Sequence, residues 1–164
     1  MKKILFVCHG NICRSPMAEF IMKRLVRRAG LEEEFEIASA ATRDDELGNP
    51  VYPLAKRKLA EHGIGCPGKT ARGITLEDYD RYDMIIGMDD ENLDDLKYLF
   101  PSDEGRKISL LLDHTPESDT KHHNRNVADP WYTRRFDEAW DDINTGCTAL
   151  FEKLKNELPE EEEE

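Results

Sequence analysis

The sequence has no long hydrophobic run. Its 164 residues are 38% hydrophobic and 35% charged, and no stretch approaches the roughly 20 consecutive apolar residues that a membrane-spanning helix needs. The apolar residues 4–7 stop at a polar segment without a small-residue cleavage site, which argues against a signal peptide. We therefore predict no membrane partner and a single domain, 1–158, followed by a short tail.

Basic residues are outnumbered. Lys and Arg total 23 against 35 Asp and Glu, which gives a formal net charge of -12. A protein that binds nucleic acid without sequence preference needs a basic face that releases phosphate counterions, so we predict no nucleic-acid partner. The acidic tail, 159–164, is predicted to be solvated and disordered. One focused cation, or a nest of backbone N–H groups, can still bind phosphate in an acidic protein.

Cysteine is also scarce. The four thiols, Cys8, Cys13, Cys66 and Cys147, are too few and too scattered for a disulfide scaffold, and no Cys or His pairs recur at zinc-ligand spacing. We therefore predict no metal, no cofactor and a reducing, cytoplasmic setting. Cys66 and Cys147 are expected to be structural.

Apolar runs alternate with helical patterns along the chain. This rhythm is typical of strand–helix–strand units and of a parallel sheet covered by helices on both faces. Strands are predicted at 4–7, 35–38, 83–88 and 107–112, and helices at 15–29, 54–62, 89–98 and 136–158. The polar segment 113–128 has no hydrophobic period, as in many functional loops. Its histidines, His114, His122 and His123, are predicted to be exposed and to bind no metal.

A polar segment, Cys-His-Gly-Asn-Ile-Cys-Arg-Ser, joins the first strand to the helix that a Ser-Pro pair begins. Free N–H groups and the helix dipole make such a junction an anion site. Cys8 is expected to ionise there to the nucleophilic thiolate, stabilised by Ser15, while the planar fork of Arg14 can hold two phosphoryl oxygens. Gly10 and Asn11 tolerate the positive φ that an inward-turned loop requires. Because neither G-x4-G-K-[ST] nor G-x-G-x-x-G is present, no nucleotide is predicted.

The run VCHGNICRSPMAE resembles the N-terminal signature of the low-molecular-weight protein tyrosine phosphatases. Further matches follow in the family's order: SAAT at 39–42, GNP at 48–50, EHGI at 61–64, AR at 71–72, MDDENL at 88–93 and DPWY at 129–132. The resemblance thus covers nearly the whole chain before the tail. It implies an α/β fold, with a doubly wound four-stranded parallel sheet, helices on both faces and a phosphate-binding loop after the first strand.

The resemblance also implies an activity, the hydrolysis of phosphotyrosine in proteins or of small aryl phosphates to inorganic phosphate. Cys8 is then the nucleophile that forms phosphocysteine, Arg14 binds the phosphoryl group, and Asp129 acts as general acid and then as base. Further phosphate- or substrate-binding residues are predicted to be His9, Gly10, Asn11, Ile12, Cys13, Ser15, Asp45, Trp131 and Tyr132. A reversible Cys8–Cys13 disulfide is expected as in the relatives, because such a thiolate also reacts with peroxide.

Three positions depart from the family pattern. Asp45, flanked by acidic neighbours, stands where relatives carry Trp or Tyr as one wall of the crevice. Tyr52 lies in a segment that replaces an Asp-x-Arg, and Lys69 stands where some relatives have a His that supports the loop Asn. These changes concern substrate preference and leave the predicted chemical step intact.

Three other functions are compatible with the residues. A thiol-dependent arsenate reductase needs a further, closely spaced Cys pair, whereas Cys66 and Cys147 are far apart. A protein-arginine phosphatase is a closer rival. Such relatives tend to have Thr at the position of Ile12, whereas apolar Ile12 suits an aryl ring and disfavours a guanidinium. A non-catalytic phosphate-binding module needs neither a nucleophile nor an acid.

Overall fold

The fold is built on one sheet of four parallel strands in the order β2-β1-β3-β4. We describe residues 1–160 from a computed structural model. The strands are β1 (Lys2–Cys8), β2 (Phe35–Ala41), β3 (Met84–Gly87) and β4 (Ile108–Leu110). The predicted four-stranded parallel sheet is thereby confirmed. Most of the predicted tail, 159–164, lies outside the described residues.

Six α-helices connect and cover the strands in the described part of the chain. They are α1 (Arg14–Arg28), α2 (Pro53–Glu61), α3 (Leu76–Arg81), α4 (Asp90–Leu99), α5 (Pro130–Thr133) and α6 (Phe136–Asn156), with short 3-10 turns at Glu32–Glu34 and Leu111–His114. Neither α3 nor α5 is predicted from the sequence, because each is too short to show a hydrophobic period. The first turn of α3 is closed by a hydrogen bond from the Thr75 N–H to Asp78 Oδ2 at 2.8 Å. None of these helices is long and apolar enough to cross a membrane.

The central strand β1 is buried on both faces, as its uniformly apolar sequence predicts. Successive side chains of a strand point to opposite faces. Ile4 and Phe6 belong to the core shared with α1, α2 and α6. Leu5 and Val7 belong to a second core, which includes Leu96 of α4. The sheet is therefore covered by helices on both faces.

The strand order also fixes where a ligand can bind. From β1 the chain passes to β2 on one side and later to β3 on the other, so the strand order reverses beside β1. In open α/β sheets, ligands bind at the carboxyl ends of the strands at such a switch point. Here that point holds the loop between β1 and α1, residues 8–15, called the β1–α1 loop below.

The polar segment 113–128 is attached to the body of the protein more firmly than predicted. His122 is buried, and its two ring nitrogens lie 2.8 Å from Asp119 Oδ2 and 2.8 Å from Asp141 Oδ2 of α6. His114 and His123 are partly buried. The prediction of exposed histidines is therefore wrong, because polar partners both near in the chain, such as Asp119, and distant, such as Asp141, hold these rings against the fold.

We expect His114 to make the fold sensitive to acid. Burial, with a contribution from the Lys153 ammonium, lowers the pKa of His114 from 6.5 to about 4. The unfolded chain therefore binds more protons between these values, and the free energy of unfolding falls as the pH drops from about 6.5 to about 4. His114→Gln should flatten this part of the stability curve, measured by urea denaturation at several pH values.

His62→Gln is the matched control, because His62 is exposed at the end of α2. It should keep the wild-type slope of stability against pH. An unchanged slope in His114→Gln would assign the acid sensitivity to other groups.

Candidate active site

The β1–α1 loop places a thiol and a guanidinium at its two ends. Cys8 is the last residue of β1 and Arg14 the first of α1. Asn11 has a φ of 58°, which is the left-handed conformation that the sequence analysis predicted for it. Gly10 is not among the residues with positive φ, so that part of the prediction is wrong. A Cβ at position 10 would lie 3.2 Å from Cγ of Glu46, so the Glu46 side chain would have to shift to make room for one.

The sulfur of Cys8 is buried and contacts Ser15. Cys8 Sγ lies 3.0 Å from Ser15 Oγ, and the Ser15 N–H donates to it at 3.4 Å. The side-chain amide of Asn11 donates to Ser15 Oγ at 2.7 Å. Because this hydroxyl oxygen already accepts a hydrogen bond, its own proton is free to point at the sulfur. Two donors can thus converge on the Cys8 sulfur.

Asn11 is itself held by a buried polar network. Its amide also donates to Ser39 Oγ at 2.9 Å, and its carbonyl oxygen accepts from the Arg72 N–H at 3.2 Å. The Ser39 hydroxyl in turn donates to Glu19 at 2.6 Å. Lys69 binds the Ser39 carbonyl at 3.1 Å and Glu19 at 3.2 Å. Lys69 therefore supports the loop through Ser39 and Glu19 and makes no direct hydrogen bond with Asn11.

The Arg14 side chain is only 2% exposed and is fixed by three partners. Nη1 donates to Asp89 Oδ2 at 2.6 Å and to the Val127 carbonyl at 2.9 Å, and Nη2 donates to Asp129 Oδ2 at 3.3 Å. Burial opposes the charge of Arg14, but nearby anionic groups outweigh burial and raise its pKa. In order of effect, these groups are Cys8, Asp129 and Asp89. The Arg14 Nε–H has no hydrogen-bond partner among residues 1–160, so this edge of the fork is available to an oxyanion.

Asp129 stands at the start of α5 and belongs to the segment 129–134, called the α5 loop below. Its Oδ1 accepts from the Trp131 N–H at 3.0 Å, as an N-cap does, while Oδ2 faces Arg14. The carboxylate is 22% exposed. Asp129 is therefore held in a fixed orientation with one oxygen directed toward the guanidinium.

One pocket joins these groups. It is lined by Cys8, His9, Gly10, Ile12, Cys13, Arg14, Asp45, Glu46, Asp129, Trp131 and Tyr132. Of the predicted site residues, only Asn11 and Ser15 are absent from this lining, because both are buried behind the loop and act on Cys8 from there. Glu46 was not predicted as a site residue. Its only signal in the sequence was its position next to Asp45.

Tyr52 links the two loops of the pocket, a role the sequence did not reveal. Its backbone N–H donates to the Ile12 carbonyl at 2.9 Å. Its ring centroid lies 4.9 Å from that of Trp131, and its hydroxyl accepts from Arg134 Nη1 at 2.8 Å. Tyr52, which lies in the segment that replaces an Asp-x-Arg, thus connects the β1–α1 loop to the α5 loop.

The remaining cysteines differ in accessibility. Cys13 lines the pocket but is buried, and burial raises the pKa of its thiol, as does the neighbouring Cys8. All four cysteines are free thiols, and the Cys8–Cys13 disulfide stays a prediction. Cys147 is fully buried on α6, and Cys66 is half-buried and lines a different groove.

One group of side chains has the composition of a metal site. His122, Asp141 and Asp142 bring ligand atoms within 4.8 Å of one another. Arg125 pairs with Asp142 at 2.7 Å and Lys121 with Asp141 at 3.0 Å. These cations already balance the carboxylates, so the group is an ion-pair network that ties the segment before Asp129 to α6.

Comparison with known proteins identifies the family. A family model described as low molecular weight phosphotyrosine protein phosphatase matches residues 3–160. The chain belongs to this family. It is 38% identical over 157 residues to the low molecular weight protein-tyrosine-phosphatase YfkJ of Bacillus subtilis, with 96% of this chain and 98% of that protein covered. It is 35% identical over 158 residues to the human low molecular weight phosphotyrosine protein phosphatase, with 93% and 95% covered.

Solved structures of the family show the same fold. The crystal structure of YfkJ superimposes with a TM-score of 0.90, covering 97% of this chain and 98% of that one. A protein tyrosine phosphatase from Entamoeba histolytica, with Hepes in the active site, gives a TM-score of 0.86 at 29% identity, covering 96% and 99%. The family, the α/β fold and the enzyme class, a phosphoric monoester hydrolase, are thus as predicted from the sequence.

The geometry of Arg14 predicts a steep loss of phosphate affinity in Arg14→Lys. Lysine keeps the charge but cannot contact Asp89 and an oxyanion with one rigid fork. Hydrogen bonds to charged groups are worth about 1.5–3 kcal/mol, so the dissociation constant of inorganic phosphate should rise roughly ten- to hundredfold. Isothermal titration calorimetry with phosphate measures it directly.

Arg81→Lys serves as the control, because Arg81 also forms a two-pronged contact with a carboxylate, Glu36, but is exposed and far from the pocket. It should bind phosphate like the wild type. Similar affinity in Arg14→Lys and the wild type would remove Arg14 from phosphate binding.

Proposed function

We propose that the pocket hydrolyses phosphotyrosine through a phosphocysteine intermediate on Cys8. The observation that carries this proposal is that Cys8 and Arg14 of the β1–α1 loop and Asp129 of the distant α5 loop line one pocket. A nucleophile, an oxyanion-binding fork and a carboxyl group are the three parts that phosphoryl transfer to a thiolate requires.

In the first step, the Cys8 sulfur forms a bond to phosphorus while the bond from phosphorus to the phenolic oxygen breaks. The Nε edge of Arg14 holds two of the equatorial oxygens, where negative charge is spread in the transition state. Asp129, in its protonated form, gives its proton to the departing phenoxide. The products of this step are the free phenol and phosphocysteine.

In the second step, water attacks phosphocysteine. Asp129, now a carboxylate, accepts a proton from this water, and the sulfur leaves as thiolate. The hydroxyl and N–H of Ser15 stabilise the departing sulfur at the distances described above. Inorganic phosphate is released, and the starting state of the enzyme is restored without a metal or cofactor.

The pocket walls support an aryl phosphate as substrate. Ile12 and Trp131 line the pocket beside Cys8. Both can pack against a phenyl ring, and the apolar side chain of Ile12 offers no hydrogen bond to a guanidinium. The arsenate reductase alternative needs a further, closely spaced Cys pair, whereas Cys147 is fully buried and Cys66 lies in another groove. A non-catalytic module would have no use for Asp129 opposite a thiol.

A cytoplasmic location belongs to this proposal, because free thiols persist in a reducing compartment.

We also propose that the protein substrates carry basic residues near the phosphotyrosine. Asp45 and Glu46 line the pocket, and His9 contacts both Asp45 and Glu91 of α4, which places Glu91 nearby. We call Asp45, Glu46 and Glu91 the acidic rim. Asp45 and Glu91 are more than half exposed. Their charges act on residues that flank the phosphotyrosine rather than on the phosphate inside the pocket.

Asp129→Asn should discriminate between leaving groups. Aryl phosphates with poor leaving groups need a proton as the P–O bond breaks, so their kcat/KM should fall by about 10² to 10⁴, whereas substrates with good leaving groups should lose much less. Cys8→Ser, which keeps the pocket but has no thiol, provides the blank for both substrates. Equal losses for both classes would make Asp129 a structural residue, and turnover by Cys8→Ser would rule out phosphocysteine.

The acidic rim predicts a salt-sensitive preference for basic flanks. The measurement is kcat/KM for two phosphotyrosine peptides that differ only in having Arg or Glu beside the phosphotyrosine. Rim charges steer encounter, so the Arg peptide should be preferred at low salt and the preference should shrink at high salt. Asp45→Asn should reduce it, and Glu77→Gln, which removes an exposed charge on α3, should not. Equal rates for the two peptides at low salt would remove the rim from substrate choice.

A further inference from the structure

His9 connects two carboxylates that belong to different elements. Its Nε2 lies 2.6 Å from Asp45 Oδ2, in the segment after β2, and its Nδ1 lies 2.6 Å from Glu91 Oε1, in the first turn of α4. The same ring lines the pocket beside Cys8 and is 30% exposed. Two members of the acidic rim are therefore joined by one imidazole at the mouth of the site.

Only the doubly protonated ring satisfies both contacts. An imidazolium has two N–H donors, one for each carboxylate, whereas a neutral imidazole has one donor and one lone pair. In the neutral ring, that lone pair would face a carboxylate oxygen at the same short distance. The geometry therefore corresponds to a positively charged His9 between two negative partners.

The surrounding charges favour that state. Burial opposes protonation of His9, but the hydrogen bonds and charges of Asp45 and Glu91 outweigh burial and raise the pKa of the ring above 6.5. The charged groups that act on His9 are Asp45 from the segment after β2 and Glu91 from α4. The same pocket is also lined by Cys8, Arg14, Glu46 and Asp129. Arg43 donates its backbone N–H to the His9 carbonyl, and its guanidinium pairs with Asp95 at 2.9 Å.

We propose that His9 is a specificity-determining residue whose protonation sets the charge of the acidic rim and thereby how strongly the enzyme selects peptides by their flanking charge. This inference rests on the proposed function of the site. With His9 protonated, its positive charge cancels one of the two carboxylates it touches. With His9 neutral, both carboxylates are uncompensated, and one of them is released from its hydrogen bond.

The direction of the pH dependence follows from this charge balance. The contacts of the His9 imidazolium with Asp45 and Glu91 are fully present below about pH 6.5. They are lost as the pH rises through the raised pKa of His9. The acidic rim therefore becomes more negative with rising pH. Discrimination in favour of basic flanks should increase over that range, by about two- to fivefold for one exposed charge.

The test is the ratio of kcat/KM for the Arg-flanked and Glu-flanked peptides, measured at low salt between about pH 6 and pH 8. Neither Arg nor Glu titrates in this range. Ionisation of Cys8 or Asp129 affects both peptides alike, so it cancels in the ratio. The flanking charges shift the ionisation of the substrate phosphate differently in the two peptides, but this shift is the same for every variant of the enzyme. A change in the ratio that is present in the wild type and reduced in His9→Gln therefore reports a charge at the rim and not the chemical step.

Two substitutions bracket the wild type. His9→Gln removes the titratable charge, so its ratio should be high and constant with pH. His9→Lys keeps a positive charge throughout, so its ratio should be low and constant. His62→Gln, remote from the pocket, should reproduce the rising ratio of the wild type. An NMR titration of the His9 ring adds an independent readout. The midpoint of this titration should lie above pH 6.5 in the wild type and should be lower in Glu91→Gln.

The outcomes separate this inference from the function on which it rests. A wild-type ratio that favours Arg but is constant with pH, or that rises equally in His9→Gln, would overturn the role of His9 and leave the acidic rim in place. An NMR titration midpoint of His9 at or below pH 6.5 would also overturn the role of His9. A ratio of one at every pH would instead contradict the flank preference, and absence of aryl phosphate hydrolysis would contradict the proposed function itself.

Discussion

The buried charge of Arg14 is the constraint on which the site depends. A guanidinium can be taken out of water only if it is paired and hydrogen-bonded, because an unpaired buried charge costs several kcal/mol. The partners come from three places: Asp89 after β3, the Val127 carbonyl at the end of the polar segment, and Asp129 in the α5 loop. Satisfying one side chain of α1 therefore fixes two distant segments around the β1–α1 loop.

A second buried network fixes the loop from behind. Ser15 and Asn11 are held through Ser39 of β2, and Ser39 is held by Glu19 of α1. The sulfur of Cys8 thus lies against polar groups whose positions are determined by the central sheet and not by the loop alone. Such preorganisation means that the donors need no rearrangement when charge develops on the sulfur.

Much of this could be predicted from the sequence, because the signals were local. The uniformly apolar β1, the Ser-Pro start of α1 and the residues between them predicted the strand, the helix and the anion site, and the Asp-Pro-Trp-Tyr run located Asp129. The predictions that failed concern residues whose surroundings are formed by segments distant in sequence. The burial of His122 is set by Asp141 on α6, and the close approach of Glu46 to Gly10 exists only in the folded chain.

Tyr52 has a consequence for how the pocket can change shape. Its N–H is bound to Ile12, its ring packs on Trp131 and its hydroxyl accepts from Arg134. The α5 loop cannot swing outward without breaking the two contacts that it makes with Tyr52, so Tyr52 stabilises the present width of the cleft. Ligands should then be sorted by their thickness: a flat ring can slide in, whereas a group that is bulky close to the phosphorus is excluded by shape alone.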